Sequence, residues 1–247
     1  MIRAALALFL TQFGPQWAEA ACRQALALGL DVSGSVDARE YRLQLGGVAE
    51  ALDDPRLRDA LLARPGHHVD LMVYEWSGSS DQRVILPWTP LHDAAALDDA
   101  ITLLRSTERR AASPGTALGD AMQFGARQVA ARLDCRKHTL DISGDGISNF
   151  GPRPRDIGDS LQNPPQGPQG LTVNGLVIGA KDAGLGDNTQ TELGALASYY
   201  RAEVILGPEA FVEIAEGFDD YARAMTRKLL RELDGRAYAQ LPPARDQ

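Results

Sequence analysis

Residues Ala25 to Val32 read Ala-Leu-Ala-Leu-Gly-Leu-Asp-Val and run straight into Ser33-Gly34-Ser35. The run is apolar without alternation, so it is a strand buried on both faces, as in a parallel sheet. Such a strand needs helices on both sides of its sheet, and the rest of the chain supplies them.

Asp37 opens a helix, with Glu40 three residues on as its capping-box partner, and the helix runs to about Leu52. Asp54-Pro55 begins a second short helical piece that ends near Arg64-Pro65-Gly66. His67 to Ser77 is a second strand and Arg83 to Trp88 a third; the short polar connection between them predicts an antiparallel hairpin. Helices follow over Leu91 to Leu104 and Thr116 to Leu133, then a fourth strand over His138 to Ser143. Gly151 to Gly170, rich in Pro, Gly and Gln, reads as a long loop. A fifth strand covers Leu171 to Ile178, a helix Glu192 to Arg201 and a short sixth strand Glu203 to Leu206. The last helix starts near Pro208, with Phe211, Ile214, Ala215, Phe218, Ala222, Met225 and Leu229 on one stripe. Strands alternating with helices define a three-layer α/β/α, doubly wound, mostly parallel sheet with one antiparallel edge strand. No internal repeat or interdomain linker interrupts it.

The chain has 247 residues, a net charge of −8 and no basic block. That balance disfavours nucleic acid or an anionic membrane surface as a partner. Met1-Ile2-Arg3, the apolar run Ala4 to Leu10 and Ala18-Glu19-Ala20 form an export signal, with cleavage expected after Ala20. The alternatives are a buried first helix, or a lipoprotein signal ending at Cys22. Residues 1–20 are thus read as signal peptide, 21–240 as one domain and 241–247 as a tail. The mature protein is expected to be periplasmic or secreted, with no membrane span.

Ligands of doubly wound sheets sit beyond the carboxyl ends of the strands. Here those ends are polar. The first carries Asp31, Ser33 and Ser35, whose alternation lets one turn point all three the same way. The fourth ends in Ser143-Gly144-Asp145-Gly146, and Ser113-Pro114-Gly115-Thr116 opens the helix between them. All five candidate ligands are hard oxygen donors: Asp31, Ser33, Ser35, Thr116 and Asp145. They suit Mg²⁺; Mn²⁺ would fit, and Ca²⁺ is possible. The chain has no paired Cys/His spacing for structural zinc, and His67, His68, His92 and His138 do not cluster with carboxylates at ligand spacing. Asp141, inside the fourth strand, is expected to play a hydrogen-bonded structural role.

Asp31-x-Ser33-x-Ser35, Thr116 at a later helix start and an Asp-Gly after the next strand resemble the metal-ion-dependent adhesion site (MIDAS) of von Willebrand factor A domains. The resemblance runs from about Ala25 to Leu233 and implies a Rossmann-like, von Willebrand factor A type fold. The chain is most similar to an uncharacterised bacterial family of exported von Willebrand factor A-like proteins. The resemblance implies that Ser33 and Ser35 bind metal directly, Thr116 conditionally, and Asp31 and Asp145 directly or through water. One departure stands out: the common family form of the last segment is Thr-Asp-Gly, whereas this chain has Ser143-Gly144-Asp145-Gly146.

Neutral serines leave a dication under-neutralised, so an outside carboxylate can complete its shell. The reading is therefore an exported, metal-dependent protein-binding module whose cation bridges to an Asp or Glu of a partner protein. Two alternatives are a Mg²⁺-dependent phosphohydrolase with Asp31 as nucleophile, for which Ser143, Lys181 and the Asp219-Asp220 pair superficially suit phosphoryl transfer, and a structural subunit whose metal only rigidifies loops. Against the enzyme, the second position after Asp31 is Ser33 rather than a second aspartate, and no Gly-x-Ser-x-Gly elbow is present.

Cys22 lies nine residues before Asp31 and Cys135 ten before Asp145. If the first and fourth strands are parallel neighbours, both cysteines fall at the lower end of the sheet within disulfide reach. Two free buried thiols are the alternative.

Overall fold

A computed structural model describes residues 21–64, 66–162, 170–179 and 187–234. The expected signal peptide, residues 1–20, and tail, residues 241–247, lie outside them. Six strands, β1 (Ala21–Asp31), β2 (His67–Trp76), β3 (Gln82–Leu91), β4 (His138–Gly144), β5 (Leu171–Ile178) and β6 (Val212–Ala215), form one sheet in the order β3-β2-β1-β4-β5-β6. All neighbours are parallel except the antiparallel β2–β3 edge pair. Helices α1 (Ala38–Asp53), α2 (Pro55–Leu62), α3 (Ala94–Ser106) and α7 (Tyr221–Asp234) cover one face, and α4 (Leu118–Ala130), α5 (Pro154–Gln162) and α6 (Asp187–Glu203) the other. The expected three-layer, doubly wound architecture is therefore the fold.

The non-alternating β1 run is explained by its two faces. Leu26, Leu28 and Leu30 enter the core under α1, α3 and α7, and Ala25 and Ala27 the core under α4. Each fully buried leucine contributes roughly 1.5–3 kcal/mol relative to an exposed one. The Asp37–Glu40 capping box starts α1, and Asp54 with Pro55 starts α2.

Four local expectations are corrected. Thr116 precedes α4 rather than opening it, because both of its backbone polar groups are bonded to the loop after β4. Leu91 belongs to β3, and Asp93 caps the helix that follows. The Pro-rich stretch contains α5, which starts on Pro154, where a missing N–H costs nothing; Ile157 and Leu161 carry its core face, and residues 163–169 lie outside the described residues. Finally, Glu203 ends α6, and Leu206 makes only an isolated bridge to Val173. The sixth strand is Val212–Ala215, followed by a 3-10 turn over Phe218–Asp220, so the stripe from Phe211 to Phe218 is not helical. Gly207, at φ +89°, reverses the chain, and Asn174 Oδ1 accepts from the Phe211 N–H at 3.1 Å, which lays the segment beside β5.

Cys22 and Cys135 form a disulfide with a Cα separation of 4.5 Å at the amino-terminal end of the sheet, as the nearly equal offsets of nine and ten residues predicted. It closes a segment of 113 residues. Replacing both cysteines by serine is expected to cost up to about 4–5 kcal/mol, read as a lower urea midpoint. A change below about 1 kcal/mol would contradict the expectation.

Candidate metal centre

The connection after β1 runs through α1 on one face of the sheet and that after the neighbouring β4 through α5 on the other, so a crevice opens beyond their carboxyl ends. Asp31 is the last residue of β1 and is fully buried. Gln44 of α1, also buried, donates to its carbonyl at 2.9 Å. Its Oδ1 accepts the Ser33 N–H at 2.8 Å and so bends the backbone out of the strand. Ser33 Oγ and Ser35 Oγ are 3.2 Å apart, and Ser35 Oγ donates to Asp145 Oδ1 at 2.7 Å. Four of the five predicted residues thus form one connected group of oxygens.

Thr116 reaches the same rim through its backbone. Pro114 C=O accepts from Gly34 N–H at 3.2 Å, and a side chain on Gly34 would start only 3.0 Å from Pro114 Cβ. Thr116 N–H donates to Asn149 Oδ1 at 2.9 Å, and its C=O accepts from Asn149 N–H at 3.0 Å and Ser148 Oγ at 3.2 Å. Asn149 is therefore the clamp between the β4 loop and Thr116. Ala117 N–H, just before α4, donates to Ser77 C=O at 2.7 Å.

Burial, and then the charge of Asp145, push the Asp31 carboxyl up to about 7, despite the hydrogen bonds from Ser33. Burial raises Asp145 as well, opposed by the Ser35 hydroxyl. Asp31 Oδ2 is buried and has no hydrogen-bond partner among the described residues. Sequence reasoning missed Tyr200 of α6, whose buried hydroxyl lies near both carboxylates and is held far above its ordinary range by burial, Asp31 and Asp145. An aromatic residue distant in sequence gives no local signal of such a placement.

The rim carries apolar side chains. Ile147 and Phe150, on the loop after Asp145, are 57% and 60% exposed. Phe150 lies over Gly115 and lines a cleft of about 570 Å³ with Ser148, Arg153, Tyr199 and Glu203. At the opposite end of the sheet, Cys22, Asp70, Asp134 and Cys135 bring ligand-type atoms within 4.8 Å of one another. There the sulfurs are bonded to each other and Asp70 is paired with Arg132 and His68, so this cluster is not a metal site.

Solved structures resemble this chain in fold. Proximal thread matrix protein 1 of the mussel byssus superposes with a TM-score of 0.56 at 15% identity, over 87% of this chain and 49% of that one. The same mussel protein with a zinc-occupied MIDAS motif gives 0.57 at 16%, over 87% and 47%. The pilus adhesin SpaC of Lactobacillus rhamnosus GG, in its open conformation, gives 0.55 at 14%, over 85% and 30%. The chain thus spans half or less of each relative's length, and identities this low establish fold alone. No curated protein matches the sequence. The family model described as "Protein of unknown function (DUF1194)" matches residues 21–237. The chain belongs to that family, and its fold is the von Willebrand factor A fold.

Proposed function

We propose that this protein is a metal-dependent protein-binding module, in which Asp31, Ser33, Ser35, Thr116 and Asp145 hold one divalent cation that grips a carboxylate of a partner protein. The observation that carries the reading is the oxygen group at the β1–β4 crevice. A fully buried carboxylate, Asp31, and a half-buried one, Asp145, whose charges repel are held at one rim with two hydroxyls, buried Ser33 and exposed Ser35, between them, and one oxygen of the buried carboxylate has no partner among the described residues. A cation relieves that repulsion and satisfies the donor set. Its all-oxygen chemistry favours Mg²⁺, with Mn²⁺ and Ca²⁺ as substitutes. The buried disulfide fits export to an oxidising compartment, the periplasm or the exterior. On this reading residues 1–20 are the signal and 21–240 the mature domain. Among the described residues no helix is long and apolar enough to cross a membrane.

No observation favours the phosphohydrolase. Ser33, where a second aspartate would be needed, is tied to Ser35, and Asp219 and Asp220 are engaged by Arg39 and Arg223. Lys181 lies outside the described residues. We read the protein as a binder rather than an enzyme.

Affinity capture from the native cell envelope tests the proposal. Capture should require Mg²⁺, vanish with chelator and vanish in Ser35→Ala. Capture indifferent to both would overturn it. The exposed Phe150 lies where a residue flanking the partner carboxylate would pack, so Phe150→Ala should weaken capture about tenfold, as for a moderate interface anchor. Unchanged capture would remove Phe150 from the interface.

A pH effect follows from Asp31. In the folded, metal-free protein its carboxyl keeps a proton up to about 7, whereas in the unfolded chain it ionises near an ordinary value of roughly 3.9. A raised carboxyl pKa means that the folded state binds more protons, so its contribution to stability falls as pH rises from about 4 through about 7. A cation competes with that proton, so the Mg²⁺-induced rise in Tm should be larger at pH 8 than at pH 5. Equal shifts at both pH values would contradict this.

A further inference from the structure

Gly144 ends β4 next to Asp145, at the place where the segment departs from the family's Thr-Asp-Gly form. A side chain there has no room. Its first atom would stand 2.5 Å from Tyr200 Oη, 3.0 Å from Asp31 Oδ2 and 3.4 Å from Trp76 Cζ2. Tyr200, Asp31 and Trp76 are each 0% exposed. Three polar atoms, Tyr200 Oη, Asp31 Oδ2 and Trp76 Nε1, lack hydrogen-bond partners among the described residues. Two are donors and one is an acceptor. Buried polar groups are nearly always paired, and an acceptor on one side of a glycine with a donor on the other is an arrangement built for a hydrogen bond across it.

We propose that Tyr200 is a positioning residue of the metal site: its hydroxyl and Asp31 Oδ2, unbonded in this structure, come together across the gap left by Gly144 when a cation binds, and the hydroxyl then donates to Oδ2 and fixes the carboxylate for the cation. The inference rests on the metal-site reading above and extends it to α6, a helix that supplies none of the five ligands. Tyr200 rather than Trp76 is assigned the bond because its hydroxyl lies nearest the glycine and can rotate its hydrogen, whereas the indole N–H is fixed in the ring plane. A β-branched residue at position 144, as in the common form, would occupy the space the tyrosine uses. Partners of this kind, hydrogen-bonded to a ligand rather than to the ion, typically change metal affinity by 10–100-fold.

The test is calorimetric titration of Mn²⁺ into the parent protein, Tyr200→Phe and Ser35→Ala, with the metal-free Tm of each measured in parallel. Tyr200→Phe removes only the hydroxyl. Its Mn²⁺ affinity should fall about 10–100-fold, while its metal-free Tm stays level or rises because an unpaired buried hydroxyl is gone. The metal-induced tyrosine difference band in the near ultraviolet should also disappear. Mn²⁺ binding by Tyr200→Phe as tight as the parent's overturns the inference and leaves the metal site standing. A lower metal-free Tm with unchanged affinity marks Tyr200 as packing alone and also overturns it. A parent protein that binds no Mn²⁺ overturns the metal reading and this inference with it. Gly144→Ala, which pushes the hydroxyl aside, should reproduce the affinity loss; a folded Gly144→Ala with parental affinity also counts against the proposal.

Discussion

Replacing Lys228 by methionine will destabilise the protein by about 3–5 kcal/mol, the usual consequence of removing one partner from a buried ion pair. Lys228 is fully buried and forms ion pairs with Asp141 and Glu232, which are themselves buried. Glu232 also accepts from Asn174 Nδ2 at 2.9 Å, and Asn174 holds the chain that enters β6. The group ties α7 to β4 and β5 through charge in the middle of an apolar layer. Methionine keeps most of the length of the side chain but takes away the ammonium that pairs the two carboxylates. Burial and the neighbouring Glu232 already hold the Asp141 carboxyl well above the usual range, so one carboxyl will be driven to keep a proton. The loss should therefore be larger at pH 8 than at pH 5. For a domain of this size, 3–5 kcal/mol corresponds to a fall in Tm of roughly 6–20 °C, out of a total stability of about 5–15 kcal/mol. Urea unfolding of parent and variant measures it. A loss below about 1 kcal/mol would show that the pairing adds nothing over an apolar contact.

The second large effect is at the metal site. At a Mg²⁺ or Mn²⁺ concentration 100 times the dissociation constant, a cation that binds only the folded state stabilises it by about 2.7 kcal/mol, or roughly 5–11 °C in Tm. In Asp31→Ala that shift should vanish. The metal-free variant should be as stable as the parent or more so, because the carboxylate removed is fully buried, close to Asp145 and partnerless at Oδ2. Opposite effects with and without metal distinguish a ligand from a packing residue. A metal-induced shift that survives in Asp31→Ala would remove Asp31 from the site.

These residues were unequally legible in the sequence. The span of β5 was readable to the residue, because a run of apolar residues bounded by turn formers has one reading. The turn at Asp31, Ser33 and Ser35 was readable because period-two spacing at a strand end fixes direction. The disulfide followed from strand order and nearly equal offsets. α5 was hidden because a Pro- and Gly-rich composition looks like loop, although proline is well placed in the first turn of a helix. The segment from Phe211 to Phe218 is ambiguous in sequence, because four apolar residues at near-helical spacing also fit a short strand and a turn; contact with β5 decides between them. Lys228 and Glu232 look like an ordinary i,i+4 surface pair, and only the fold places Asp141 against them. Tyr200 was invisible for the same reason, since it lies on α6 and its neighbours Asp31 and Gly144 end two separate strands, β1 and β4.

The convergence of five oxygen-bearing side chains on one cation is tested most directly by a crystal structure grown with Mn²⁺ and an anomalous difference map. A single strong peak is expected beyond the carboxyl ends of β1 and β4, bonded to Ser33 Oγ and Ser35 Oγ, with Asp31, Thr116 and Asp145 around it directly or through water. A map with no peak there, or with Thr116 or Asp145 turned away from the Asp31–Ser35 turn while Mn²⁺ is bound elsewhere, would contradict it.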